Sequence, residues 1–291
     1  MLNGVYTALV TPFLEDGIDW SAFEALIDEQ ISEGIHGLVP CGTTGESATL
    51  SVSEHDEIVD FVIRIANGRV PVLAGAGSNS TSEAVERTCH ALEAGADGVL
   101  HIMPYYNRPT QDGLLAHVRA VAAVGLPVVV YNIPSRTGVS IALETYRRMA
   151  DIPNVVATKE ASGNLEMAES LLADGKLKVL AGDDQLTFPL LCLGGHGVIS
   201  VTSNIAPRLM VDLYDYVLDG QVPRAREQHF RLLPLMKSLF VETNPAPIKA
   251  ALACQGKIEE ILRLPLVSVR EETRARLRAA MELALGDGGS E

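Results

Sequence analysis

The chain is predicted to fold as an α/β protein, a (β/α)8 TIM barrel with a C-terminal helical appendage. Three observations predict this. Eight short runs rich in Val, Ile and Leu alternate with longer amphipathic stretches. The short runs are near-continuously apolar, as parallel strands buried on both faces are, and not alternating. Beyond about residue 205 the strand-like runs cease and only helical patterns remain.

The strand-like runs are GVYTALVTP (4–12), GLVPCG (37–42), VPVLAGAG (70–77), GVLHIMP (98–104), PVVVYNIP (127–134), VVATKE (155–160), KVLAGDD (178–184) and GVISVTS (197–203). Helical spacing marks residues 20–34, which stop at Gly34, and 51–68, with Ser53 expected as N-cap and Asn67-Gly68 as terminator. Residues 81–96, 110–125 and 164–175 follow the same pattern. Residues 206–220 suit the eighth barrel helix, and 222–242, 247–256 and 270–286 form the appendage. The chain therefore divides into a barrel over residues 1–221 and a helical domain over 222–291, whose tail DGGSE is expected to fray. A doubly wound open sheet is the rival architecture. It calls for GxGxxG after its first strand, where this chain has Thr11-Pro12-Phe13, and the GAGS at 75–78 reads as a turn.

At 291 residues and 47% hydrophobic content the chain can bury a large core. A net charge of −14 opposes nucleic acid and anionic membranes as partners, and obliges any anionic substrate to meet a local cationic pocket. No stretch approaches the roughly 20 apolar residues of a membrane span, and the N-terminus lacks a signal-peptide pattern, so a cytoplasmic location is expected. Cys41, Cys89, Cys192 and Cys254 form no CxxC pair and read as reduced, buried thiols. The seven histidines form neither HxH nor HExxH, so no metal is expected.

Lysine is scarce, six residues against seventeen arginines, and Lys159 is the only one in the first 175 residues. It ends the apolar run VVAT, at the carboxyl mouth of the sixth strand, where barrel enzymes keep their catalytic groups. Apolar surroundings lower a lysine pKa and free the neutral amine that attacks a ketone to form an imine. A strand-end lysine snorkelling to solvent is the plain alternative. Its neighbours tip the balance. The second strand ends in Gly42-Thr43-Thr44-Gly45-Glu46, whose hydroxyls and N–H groups can hold a carboxylate. The fourth leads into Pro104-Tyr105-Tyr106-Asn107, and the fifth into Tyr131 and Arg136, a proton carrier and a carboxylate clamp. Singly these could be a turn, packed tyrosines and a surface arginine; together they fall at one end of consecutive strands.

With these residues in view, the sequence resembles the dihydrodipicolinate synthase family, of the superfamily that includes N-acetylneuraminate lyase. The resemblance runs from TALVTPF (7–13) to RLPL (263–266), through GLVPCGTTGE, MPYYNRPTQDG, YNIPSRTG, ATKEASGN, GDD, LGGHGVISVTSN and FVETNPAPIK. GTTGE, YNxP and the strand-end lysine mark the superfamily; PYYNRP and Arg136 point to the synthase branch.

The resemblance implies that Lys159 forms an imine with pyruvate, and that Thr43, Tyr131 and Tyr106 relay protons, Tyr106 from a neighbouring subunit. It implies that Thr43 and Thr44 bind the pyruvate carboxylate and Arg136 that of L-aspartate 4-semialdehyde, and that Gly182 and Ile199 line the pocket. It further implies a homotetramer built as a dimer of dimers, and no cofactor. An L-lysine effector site is implied at Ser47, Ala48, His55, Asn79, Glu83 and Tyr105. Val52 stands where some lysine-sensitive members place a histidine, so weak or moderate inhibition is expected, with His55 offering a polar contact. Two other readings stay open: an aldolase acting on N-acetylneuraminate, 2-keto-3-deoxygluconate or another 2-oxo acid, and a non-catalytic barrel that binds 2-oxo acids.

Overall fold

Each of the eight apolar runs forms a strand in the computed structural model, which describes residues 2–286. The barrel strands are β1 (Gly4–Ala8), β2 (Gly37–Val39), β3 (Leu73–Gly75), β4 (Gly98–Ile102), β5 (Val128–Asn132), β6 (Val155–Glu160), β7 (Lys178–Ala181) and β8 (Gly197–Ser200). All pair in parallel, in the order β2-β1-β8-β7-β6-β5-β4-β3. A parallel bridge between Leu38 and Val72, with the Gly75 N–H donating to the Pro40 carbonyl at 2.9 Å, joins β2 to β3 and completes the ring.

The strand period of two separates two cores. Val128, Val130, Val179 and Val198 face outward into the layer beneath the helices. Val129, Tyr131, Ala157, Leu180 and Ile199 face the lumen and fill it. Tyr6 plugs the amino end of the lumen; its hydroxyl accepts from the Leu2 N–H at 2.9 Å. Gly37 makes room for that ring, since a Cβ there would lie 2.2 Å from it.

Most strands are shorter than their apolar runs. The run ends VTP, PCG, GDD and VTS leave the ladder and become the loops of the carboxyl mouth. The barrel helices are α1 (Trp20–Ser32), α2 (Val52–Ala66), α3 (Thr81–Ala94), α4 (Gln111–Ala122), α5 (Leu143–Ala150), α6 (Leu165–Asp174), α7 (Thr187–Cys192) and α8 (Pro207–Leu218). The sequence patterns did not reveal α5 and α7, which are too short for a clear helical period, nor the hairpin of Phe13–Leu14 with Gly17–Ile18. The N-cap of α2 is Ser51, not Ser53. Ser51 Oγ accepts from Glu54 N, and a Glu54 carboxylate oxygen accepts from Ser51 N, a reciprocal box that Ser53, already the second residue of the helix, does not make. All four cysteines are free, but only Cys41 is buried; Cys89, Cys192 and Cys254 lie on solvent-facing helical positions.

Beyond the barrel follow α9 (Val222–Ser238), α10 (Ala246–Cys254) and α11 (Glu271–Leu285). The tail at 287–291, expected to fray, lies outside the described residues. Helix α9 packs against α8 and α11. Helix α10 is buried over Ala246–Leu252, and its Lys249 ammonium meets the Glu46 carboxylate at 2.5 Å, both side chains wholly buried. Lys249 also donates to the Ile261 carbonyl at 2.9 Å and lies 4.1 Å from the centre of the Phe13 ring. Burial pushes its pKa down to about 8, against the pull of Glu46, so it stays protonated at neutral pH. The Arg263 N–H donates to the other Glu46 oxygen at 3.0 Å, and its guanidinium pairs with Glu54 and reaches the Thr49 carbonyl. Removing one partner of a buried pair strands the other charge. Lys249→Ala is expected to cost about 3–5 kcal/mol in urea denaturation, and a loss under 1 kcal/mol would show that Glu46 finds another partner.

Candidate active site

Lys159 and Tyr131 are register partners on β6 and β5, both turned into the lumen by the strand period. The Lys159 ammonium lies 4.3 Å from the centre of the Tyr131 ring. Lys159 is 5% exposed, and burial pushes its pKa down to about 8. Asp184 pulls it back up and Arg136 pushes it further down. Asp184 is itself anchored, its Oδ2 accepting from the Val201 N–H, the Thr202 N–H and the Thr202 hydroxyl at 2.8–3.0 Å. Burial likewise pushes the Tyr131 phenol up to about 12, while Arg136 and a hydrogen bond with Thr43 oppose that rise. At neutral pH the phenol is therefore a proton donor beside an amine that is partly neutral.

The side chains that point outward on the same strands hold the lysine in register. Glu160 accepts from Asn132 Nδ2 and the Tyr146 hydroxyl, each at 3.0 Å, and from the Ser162 N–H at 2.8 Å. Burial, and then Glu160, raise the Tyr146 phenol well above its ordinary value. Gly182, just past β7, leaves room for the lysine stem: a Cβ there would lie 3.0 Å from Lys159 Cγ and 2.5 Å from Ala161 Cβ. Ile199 is fully buried in the lumen cluster that contains Tyr131.

Over Tyr131 opens a cavity of about 570 Å³, onto which Thr43, Tyr131 and Arg136 face. Thr44 is buried beside it and accepts a hydrogen bond from Asn244 Nδ2 at 3.0 Å. The Asn244 carbonyl accepts from Arg136 Nη2 at 3.0 Å. Asn244, Glu46, Lys249 and Asp184 were not singled out as functional from the sequence. FVETNPAPIK and GDD carry three of them, but a contact across 200 residues leaves no periodic signal.

The same cavity is also lined by Ser47, Ala48, Val52, Glu83 and Tyr105. His55 and Asn79, expected with them, do not line it. His55 is 2% exposed, its Nε2–H donates to the Gly75 carbonyl at 2.7 Å, and burial lowers its pKa, so it is a neutral packing residue in this chain. Asn79 instead supplies its carbonyl to Asn107 Nδ2 at 2.9 Å. Tyr106 is 91% exposed on a left-handed backbone, φ 73°, and does not line its own chain's cavity.

The model of the dihydrodipicolinate synthetase family matches residues 1–284. The chain belongs to that family. It is accordingly a lyase of the dihydrodipicolinate synthase type. The 4-hydroxy-tetrahydrodipicolinate synthase of Syntrophus aciditrophicus is 53% identical over 285 residues, which are 97% of this chain and 98% of the relative. The chloride-inhibited dihydrodipicolinate synthase of Acinetobacter baumannii, solved with pyruvate, is 42% identical with a TM-score of 0.95, covering 98% of this chain and 99% of that one. The enzyme of Cyanidioschyzon merolae, solved with lysine bound, is 41% identical with a TM-score of 0.94, covering 97% and 98%. No described helix is long and apolar enough to cross a membrane.

The depressed amine fixes a pH dependence. Only neutral Lys159 attacks a ketone, and with a pKa of about 8 roughly a tenth of it is neutral at pH 7. The rate of imine formation in the free enzyme is expected to rise about tenfold per unit below pH 7 and to level off above pH 8–9. Stopped-flow trapping across pH 6–10 checks this; a rate still climbing at pH 10 would mean an unperturbed lysine.

Proposed function

We propose that this chain condenses pyruvate with L-aspartate 4-semialdehyde through an imine on Lys159, as a cytoplasmic step of lysine and diaminopimelate biosynthesis. One observation carries the reading: a buried, partly neutral lysine amine packed on the proton-donating Tyr131, beneath a cavity bearing Thr43 and Arg136.

The chemistry follows from those groups. Thr43 and Thr44 hold the pyruvate carboxylate, and neutral Lys159 adds to the ketone carbon. Tyr131, kept protonated by burial, gives its proton to the departing hydroxyl and water leaves. The resulting iminium accepts the electrons of a methyl C–H bond, the relay taking the proton, and an enamine forms. Its terminal carbon attacks the aldehyde carbon of the semialdehyde, whose oxygen becomes a hydroxyl by taking a proton from the relay. The amino group of the adduct then attacks the imine carbon, displaces Lys159 and closes the ring. Arg136, solvent-exposed at the rim and braced by the Asn244 carbonyl, meets the carboxylate of the incoming semialdehyde.

Tyr106 completes the relay from a neighbouring subunit in a dimer of dimers, which accounts for an exposed phenol held away from its own cavity. L-Lysine is the candidate effector of the part of the cavity lined by Ser47, Ala48, Glu83 and Tyr105. With Val52 exposed there and His55 locked inside, fewer polar groups meet the ligand, and inhibition is weak.

Borohydride reduction in the presence of pyruvate, followed by peptide mass mapping, tests the reading. A pyruvyl adduct on the Lys159 peptide, lost in Lys159→Ala, is expected, and an unlabelled folded enzyme would overturn the imine. Arg136→Ala should trap pyruvate normally yet lower kcat/KM for the semialdehyde by about 10²-fold. An equal loss in both half-reactions would remove Arg136 from its role. A Lys159 adduct with no turnover of aspartate semialdehyde would point to another 2-oxo-acid aldolase.

A further inference from the structure

Asn244, in the C-terminal segment, touches both halves of the proposed substrate site. Its side-chain amide donates to the Thr44 hydroxyl at 3.0 Å, and its backbone carbonyl accepts from Arg136 at 3.0 Å. Both Asn244 and Thr44 are buried, at 5% and 3% exposure, and Asn244 lines the cavity. The bond joins residues 200 positions apart and is clamped nearby. Glu46, two residues after Thr44, is paired with Lys249, five residues after Asn244.

A threonine hydroxyl carries one donor and two acceptor sites. The Thr44 oxygen accepts from Asn244, and its proton goes to no described residue. A carboxylate bound beside it offers acceptors only. We propose that Asn244 is a positioning residue for pyruvate: by filling an acceptor site on Thr44, it leaves that hydroxyl to donate to the substrate carboxylate. The orientation of the carboxamide is the decisive point. Rotated by half a turn, its oxygen would take the Thr44 proton and silence the donor. The Asn244 side-chain oxygen is buried without a partner among the described residues, so the bond to Thr44 is the one hydrogen bond described for this side chain.

The inference rests on the reading of Thr44 as a pyruvate-carboxylate binder, and it separates the side chain of Asn244 from its backbone. Asn244→Ala removes the bond to Thr44 but keeps the carbonyl that braces Arg136. Steady-state kinetics of Asn244→Ala, Thr44→Val and the double variant, with thermal melting as a check of folding, test it. The KM for pyruvate should rise about fivefold in Asn244→Ala, while kcat and the KM for the semialdehyde stay within about twofold. The double variant should be no worse than Thr44→Val alone, because the asparagine acts through that hydroxyl. A pyruvate KM that is unchanged or lower in Asn244→Ala overturns the assignment, since the amide then accepts from Thr44. A parallel rise in both KM values, or losses that multiply in the double variant, overturns it as well. Asn244→Ser, too short to span the gap, repeats the measurement if the alanine variant folds poorly. Absence of a pyruvyl adduct on wild-type Lys159 would sink the underlying reading; a normal adduct with an unaltered KM in Asn244→Ala would sink only the role of Asn244.

Discussion

An ammonium group deprived of water is driven toward its neutral form, and the barrel deprives Lys159 of water while leaving it next to a cavity. That is possible because eight parallel strands in a ring deliver all their carboxyl ends to one mouth. The comparison with Lys249 shows what the placement decides. Both lysines are buried and both are pushed down to about 8. Lys249 touches a carboxylate and a carbonyl and is spent on holding two segments together. Lys159 touches an aromatic face, and Asp184, whose charge acts on it, has its Oδ2 engaged with backbone and hydroxyl donors. The same desolvation therefore yields a structural tie in one place and, in the proposed function, a nucleophile in the other.

The loop after β2 must hold Thr43 and Thr44 still, yet it lies outside the strand ladder. Its fixation comes from the far end of the chain. Glu46, in a left-handed conformation at φ 56°, turns its carboxylate inward to Lys249 and to the Arg263 N–H. Lys249 and Arg263 share the Phe13 ring. A buried pair of this kind adds little net stability over an apolar packing of the same volume, because both charges lose their water. Its use here is registry: it specifies which part of the C-terminal segment meets the threonine loop. The appendage is in that sense part of the mouth, though it begins beyond α8.

The barrel was legible in the sequence because burial on both faces makes parallel strands apolar throughout, and β6 matches its run to the residue. Helices α5 and α7 were not, since eight and six residues hold too few turns for a period to emerge. Lys159, Thr43, Tyr131 and Arg136 stood out because each ends a strand or opens the loop after it, and the structure brings all four to one mouth. His55 misled for a physical reason. A histidine on an amphipathic helix looks available, and only the fold shows its ring spent on the Gly75 carbonyl. Asn244 and the Glu46–Lys249 pair are long-range contacts without sequence periodicity.

A net charge of −14 looks unsuited to a site proposed to receive two anions. The conflict is one of distance. At physiological ionic strength, exposed charges are screened over about 8 Å, so the acidic surface contributes little at the floor of a cavity. The groups that face the cavity at close range are Arg136 and Thr43, with Lys159 behind the Tyr131 ring and Thr44 buried beside them, in surroundings where the effective dielectric is far below that of water. Arg136 lowers the pKa of both Lys159 and Tyr131 and so works against protonation of either group.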